Sequence, residues 1–350
     1  MSLRLAQLRT WIARQHAIAA DTCRFEPVAG DASLRGYCRV HLPDGTTRML
    51  MDAPPELEDS HAFVAIGRSW RAAGLPVPAI HAIDLDQGFL ELDDLGDDSL
   101  HHHFDDADSA RHGTAQAIDL LLRLQRLASP AELPPYSAAF MEEEMERFPE
   151  WGLGRWLGLE APACWADTQR HLLAHIATLP EVAVHRDFDA MNLMIVDGEL
   201  ALIDFQGALA GPLGYDLISL LRGRYQRWSR SEMDRWIDDF HRRSQDDFGT
   251  RLADATAFRA AIEAIGAQRQ LKILGQFCRL YLRDGKPRYL DWLPHFYAQL
   301  DAGLEALPEL ADFHAWLRET YHPAMQARLA RHHAEQVSGT SQEPSRGASA

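Results

Sequence analysis

Between Val182 and Leu221 the chain reads VAVHRDFDAMNLMIVDGELALIDFQGALAGPLGYDLISLL. Two carboxylates, Asp187 and Asp204, an amide, Asn192, and an imidazole, His185, fall close together in this stretch. The apolar runs Leu193 to Val196 and Glu199 to Ile203 flank Asp197-Gly198, a strong signal for a two-residue hairpin. If Val196 pairs with Glu199, Asn192 lies opposite Ile203, next to Asp204. Cross-strand partners stand about 4.5 to 5.5 Å apart. Asn192 and Asp204 therefore end at the mouth of the hairpin, and Asp187 sits on the loop entering it. An oxygen-rich set of one amide and two carboxylates suits Mg²⁺. It suits zinc less well, having one His and no nearby Cys. A plain hairpin with surface acids, or a metal-dependent hydrolase using His185, are the competing readings.

The His185-Arg-Asp-Phe-Asp-Ala-Met-Asn192 loop, followed by a short hairpin and Ile203-Asp204-Phe205-Gln206, resembles the catalytic core of the protein-kinase-like superfamily. It is most similar to the aminoglycoside phosphotransferase and choline kinase branch. The resemblance implies an α+β, bilobal protein-kinase-like fold with a small antiparallel β N-lobe and a larger, mainly helical C-lobe. It implies phosphoryl transfer from ATP with Mg²⁺. Asp187 is then the catalytic base, and Asn192 and Asp204 are the metal ligands. Three stretches resemble a narrower group, the bacterial N-acetylmuramate/N-acetylglucosamine anomeric kinases: Gly30-Asp-Ala-Ser-Leu-Arg35, Leu50-Met-Asp-Ala-Pro-Pro55 and the 185–192 loop. These phosphorylate C1 of the free amino sugar in peptidoglycan recycling. Another hydroxyl acceptor, aminoglycoside or choline-like, and a catalytically silent nucleotide-binding module are the alternatives.

The elements that must position these residues follow in order. Leu5, Leu8, Trp11 and Ile12 give residues 3–17 a helical stripe. Phe25 to Val40 reads as a hairpin covering the nucleotide. Gly30 and Ser33 would approach phosphate, and Arg35 or Arg39 would face it. Thr46 to Met51 is the next strand. Kinases carry a lysine near Met51, and methionine supplies no charge. Three outcomes stay open: Arg35 or Arg48 compensates, the loop and Mg²⁺ suffice, or nucleotide binding is weak. A helix over Leu57 to Ala73 follows, with Glu56 and Glu58 at its start. Ala79 to Leu85 and Gly88 to Leu92 form an antiparallel pair leading to a hinge at Asp93 to Gly96. The backbone from Glu91 to Asp93 would hydrogen-bond adenine.

Residues 1–95 then form the N-terminal nucleotide-covering lobe and 96–335 the helical lobe with the catalytic loop and acceptor site. The Ser-, Gly- and Pro-containing segment 336–350 is expected to be disordered. His101-His102-His103 reads as solvated surface, because consecutive helical residues do not share a face. The acidic run from Glu142 to Glu146 reads as a solvated helical face. Asp216 reads as a loop anchor or helix cap. Trp228, Trp236, Phe240, Phe277, Tyr281, Trp292 and Phe296 read mainly as core.

Composition bounds the partners. A net charge of −16 over 350 residues argues against a nucleic-acid binder. The four cysteines, at 23, 38, 164 and 278, make no CxxC pair, so reduced thiols are expected. No run is long and apolar enough for a membrane helix, and no signal segment opens the chain. Composition leads to the expectation of a cytoplasmic protein with no nucleic-acid, membrane or protein partner, and the resemblance adds a small amino-sugar substrate.

Overall fold

The computed structural model describes residues 3–19, 21–28 and 35–340, with side chains to residue 335. Helix α1 (Leu3–Gln15) leads into strands β1 (Arg24–Val28), β2 (Gly36–His41) and β3 (Thr47–Asp52). Helix α2 (His61–Ala72) and strands β4 (Ile80–Asp84) and β5 (Phe89–Asp93) follow. The five strands make one antiparallel sheet in the order β1-β2-β3-β5-β4. Alternation gives the sheet two faces. Cys38, Val40, Leu50 and Phe89 pack on Leu8, Trp11 and Ile12 of α1. Tyr37, directly opposite Met51, and Arg39, opposite Met49, belong to the other face.

Helix α3 (Ala107–Leu127) begins at Asp106, whose carboxylate accepts the N–H groups of Asp108 and Ser109. Helices α4 (Ala138–Met145) and α5 (Trp165–Ile176) follow, separated by a π-helical stretch, Phe148–Leu157. Strand β6 (Glu181–Val184) enters the 185–192 loop. Strands β7 (Leu193–Val196) and β8 (Glu199–Leu202) form the hairpin, and β9 (Leu209–Pro212) returns antiparallel to β6. Helices α6 (Tyr215–Leu221), α7 (Arg230–Phe248), α8 (Ala255–Asp284), α9 (Leu293–Leu304), α10 (Ala311–Trp316) and α11 (His322–Thr340) complete the chain. The long α8 starts at Asp254, which caps Thr256 and Ala257, and stops at Gly285, whose φ of 64° only glycine adopts readily.

The chain packs as two compact units, Met1–Pro135 with Glu181–Gln226, and Tyr136–Pro180 with Arg227–Ala350. This division differs from the expected boundary at 95/96. The reason is local: Ile195 N–H bonds the Asp98 carbonyl and Leu202 N–H bonds the Pro76 carbonyl, stitching the hairpin to the sheet-bearing unit. The tail expectation also shifts, since α11 runs to Thr340 and so takes in the first residues of the 336–350 segment. Residues 341–350 lie outside the described residues.

In the second unit, Phe240 stacks on Phe258, and Phe277 packs against Tyr289 and Phe296. Phe240 and Phe296 are core residues, as their apolar area requires. The acidic run is a solvated face with one exception. Glu144 is buried, accepting from the Tyr136 hydroxyl and pairing with Lys272 at 3.0 Å. Glu146, at the end of α4, is exposed and accepts from Trp165 Nε1 and Gln169 Nε2. Charge alone does not show that Glu144 faces inward on α4. All four cysteines are free, and three are buried.

Candidate active site

Strand β6 ends at Val184 and hands the chain to His185, whose side chain is wholly buried. The carboxylate of Asp216, also fully buried, accepts the His185 N–H at 2.7 Å and the Arg186 N–H at 2.9 Å. Charge-assisted bonds of this kind are strong. They hold a turn in which Arg186 has a φ of 73°, a conformation that costs a non-glycine residue energy. Asp216, in the first turn of α6, is thus the anchor of the loop.

The His185 ring lies 6.0 Å from the Trp70 ring and 6.0 Å from Phe188. Burial drives its pKa down, and the nearby charges of Asp187 and Asp204 only partly oppose this. The imidazole is therefore neutral and serves as packing beside the acids, not as a charged group.

Beyond His185 the loop folds on itself. The Asp187 carbonyl accepts from Asp189 N–H at 2.9 Å and from Asn192 Nδ2 at 2.8 Å. With Nδ2 engaged, Oδ1 is the acceptor that the Asn192 amide has left to offer. The hairpin has the register expected from its turn, Leu193 opposite Leu202 and Val196 opposite Glu199. Asp197 and Gly198 both have positive φ, 51° and 84°, the requirement of a type I′ turn. At the mouth, Ile203 N–H bonds the Asn192 carbonyl at 3.1 Å. Asp204 follows with a φ of 64°, its Oδ1 accepting from Gln206 Nε2 at 2.7 Å. The Asp187 Oδ2 lies at contact distance from the Gly207 α-carbon region, 3.7 Å from where a Cβ would stand. Asp187, Asn192 and Asp204 thus converge, and both carboxylates are exposed.

Phe205 fixes this turn from below. Its ring stacks on Phe63 at 4.8 Å and meets Trp70 at 5.7 Å. Gly67 of α2 allows the approach, since a Cβ there would meet the Phe205 ring at 3.1 Å.

The donor set fits magnesium. Among the described residues no group of three or more His, Cys, Asp or Glu is arranged for a metal ion. An ion at this mouth would rest on one carboxylate, one amide oxygen, water and phosphate oxygens, the hard-oxygen environment magnesium prefers. The triple histidine has other partners: His101 lies on Tyr225 at 4.5 Å, and His103 meets Asp98 at 2.9 Å. Beside it, Arg224 and Tyr225 touch the sulfur of Met191, next to Asn192.

The nucleotide side is only partly as expected. Gly30 and Ser33 lie outside the described residues. Arg35 is buried and donates to Glu58 at 3.2 Å. Arg39 grips Asp94 and Asp97 with two hydrogen bonds each, from 2.7 to 3.0 Å. Those carboxylates raise its pKa further, Asp97 contributing most.

Of the expected nucleotide contacts Glu91 and Asp93, the sheet engages part of the backbone. Strand β5 lies between β3 and β4, so its backbone is committed on both edges. The Asp93 N–H donates to the Ala79 carbonyl at 3.0 Å. The Glu91 side chain turns to the α1 face, meeting His16 at 2.9 Å and Arg48 at 3.6 Å. Burial raises the Asp93 carboxyl pKa, but the Ala79 N–H and His81 outweigh this and leave it lowered. What the sequence left unnoticed was Tyr37, whose place opposite Met51 follows from strand register once β2 and β3 are paired.

Residues 24–256 match the model of the phosphotransferase enzyme family. The chain belongs to that family. Among curated relatives, an N-acetylmuramate/N-acetylglucosamine kinase from Pseudomonas putida is 38% identical over 89% of this chain and 94% of its own. Among solved structures, a choline/ethanolamine kinase family protein from Mesorhizobium loti matches with a TM-score of 0.62 and 15% identity. That match covers 90% of this chain and 99% of the other. An aminoglycoside phosphotransferase in ternary complex with ADP and hygromycin B matches with a TM-score of 0.53 and 13% identity, over 85% and 98% of the two chains. The fold of this phosphotransferase is accordingly the mixed α+β, protein-kinase-like one with an antiparallel N-terminal sheet. Among the described residues no helix is long and apolar enough to cross a membrane.

Proposed function

We propose that this phosphotransferase transfers the γ-phosphate of ATP to the anomeric C1 hydroxyl of N-acetylmuramate, N-acetylglucosamine or both, in the cytoplasm, as a step of peptidoglycan recycling. The names of its curated relatives support the acceptor class. The observation that carries the chemistry is the hydrogen bond from Asn192 Nδ2 to the Asp187 carbonyl at the mouth of the β7–β8 hairpin, beside Asp204. It supports placing a base and two metal-holding groups at one point.

In this reading residues 1–95 cover the nucleotide. Bound Mg·ATP supplies the phosphoryl group and neutralises the oxygen that departs with ADP. Asp187 orients the C1 hydroxyl and takes its proton as the sugar oxygen bonds phosphorus and the bond to the ADP oxygen breaks. Asn192 and Asp204 would hold the magnesium. Asp216 keeps the loop in the conformation that presents Asp187, and neutral His185 excludes water beneath it. An aminoglycoside acceptor would call for an acidic pocket, and the buried pairing of Glu144 with Tyr136 and Lys272 removes it from that role.

The test is incubation with Mg·ATP and a panel of amino sugars, aminoglycosides and choline, followed by phosphorus NMR. A sugar-1-phosphate resonance with the amino sugars is the expected result. A phosphoester at another hydroxyl, or phosphorylation only of an aminoglycoside or choline, would overturn the anomeric assignment.

A further inference from the structure

The sheet raises a question that the catalytic loop does not answer. Residue 51 is a methionine, fully buried, where phosphate-binding chemistry in this fold calls for a cation. Strand register decides which arginine can replace it. Arg48 lies on the same face as Leu50 and Glu91, the α1 face, and pairs with Glu91. Arg39 is on the Met51 face, but Asp94 and Asp97 hold its guanidinium. Arg35 precedes Tyr37 by two residues, and Tyr37 stands directly across from Met51 with its hydroxyl 3.6 Å from the methionine sulfur. Side-chain alternation therefore sends Arg35 to the Met51 face.

One contact fixes its place there. Arg35 donates to Glu58, just ahead of α2, and the two side chains are 6% and 24% exposed. Partial burial raises the pKa of the Tyr37 hydroxyl, and the positive charge of Arg35 and the negative charge of Asp204 act on it in opposite senses. A cation on the active face, with a carboxylate at its back and Asp204 in the neighbourhood, is built to meet an anion. A guanidinium can hold a carboxylate on one edge and phosphate oxygens on another, which an ammonium does less well.

We propose that Arg35 grips the nucleotide phosphates and that Glu58 positions it, an arginine just ahead of β2 and a glutamate just ahead of α2 replacing the lysine that Met51 excludes. The inference rests on ATP as donor and is independent of the acceptor. Glu58 is a positioning residue, and it connects the grip to α2. Through Gly67 and Phe63 that helix also packs on Phe205, next to Asp204.

Calorimetric titration of the full chain with Mg·ADP and, separately, with adenosine tests this without any acceptor present. R35A is expected to weaken Mg·ADP by about ten- to a hundredfold, as loss of hydrogen bonds to a charged group implies. Adenosine affinity stays unchanged. E58A should move the same ratio in the same direction by less, and E58Q, which still accepts a hydrogen bond, should restore part of it. Where R35A lacks a cooperative thermal transition, R35Q is read on the same ratio. An R35A or R35Q protein with the wild-type ratio of ADP to adenosine affinity overturns the proposal, as does equal loss of both ligands. Wild-type protein that binds neither ligand would instead remove the ATP reading beneath it.

Discussion

Asp216 offers the sharpest perturbation. Its two carboxylate oxygens accept the backbone N–H groups of His185 and Arg186 at 2.7 and 2.9 Å in a fully buried setting. Hydrogen bonds to a charged group contribute about 1.5–3 kcal/mol each. D216N retains one acceptor oxygen, loses the charge, and turns an amide N–H₂ toward a backbone donor. One bond is lost and the other weakened, so the unfolding free energy should fall by about 2–3 kcal/mol. With a urea slope of about 3 kcal/mol/M the midpoint moves down by about 0.7–1 M. Released from Asp216, Arg186 relaxes from its positive φ and Asp187 shifts with it. A displacement of about 1 Å at a reacting group is worth about a hundredfold in rate. Urea denaturation followed by tryptophan fluorescence, together with steady-state kinetics on the folded variant, measures both. A D216N protein with wild-type midpoint and wild-type kcat would refute the anchoring role.

Three further outcomes follow from the same geometry. D187N should fold normally and lose about 10²–10⁴ in kcat, equally in kcat/KM; ordinary turnover would dismiss Asp187 as base. Because burial lowers the His185 pKa, an unfolded chain titrating near about 6.5 binds a proton that the native ring refuses. Stability is therefore intact above that pH and declines as pH falls below it; thermal melts between pH 8 and 5.5 should show a shallower decline in H185N. In the second unit, a Cβ on Gly275 of α8 would run into the backbone carbonyl of Arg147, so G275A should destabilise by about 1–3 kcal/mol or more, visible as a lowered melting temperature.

The hairpin and its register were readable because Asp197-Gly198 admits one turn geometry and apolar alternation admits one pairing. The α1 stripe, the presence of the sheet strands and the placing of Asp216 at the loop and helix start were readable for similar local reasons. The nucleotide side was not. Whether Glu91 offers its backbone or withdraws into a ladder depends on β5 lying between β3 and β4, a non-consecutive pairing that no local pattern encodes. Likewise Glu144 sits in a run that looks solvated, and only its tertiary partners, Tyr136 and Lys272, show otherwise. The sequence left Arg35, Arg39 and Arg48 side by side as candidate cations, and only the face of Met51 and the reach of Glu58 separate them.

The β7–β8 hairpin works as a spacer whose length counts in pairs. The separation of Asn192 from Asp204 in space is fixed where the strands part, by the Ile203-to-Asn192 hydrogen bond, while the chain between them can be extended at the far end. Adding one residue to each arm leaves that junction as it is. A lone insertion forces a bulge or a slip, and a slip turns every side chain of an arm to the opposite face. Natural or engineered length variation in this segment is thereby restricted to even steps.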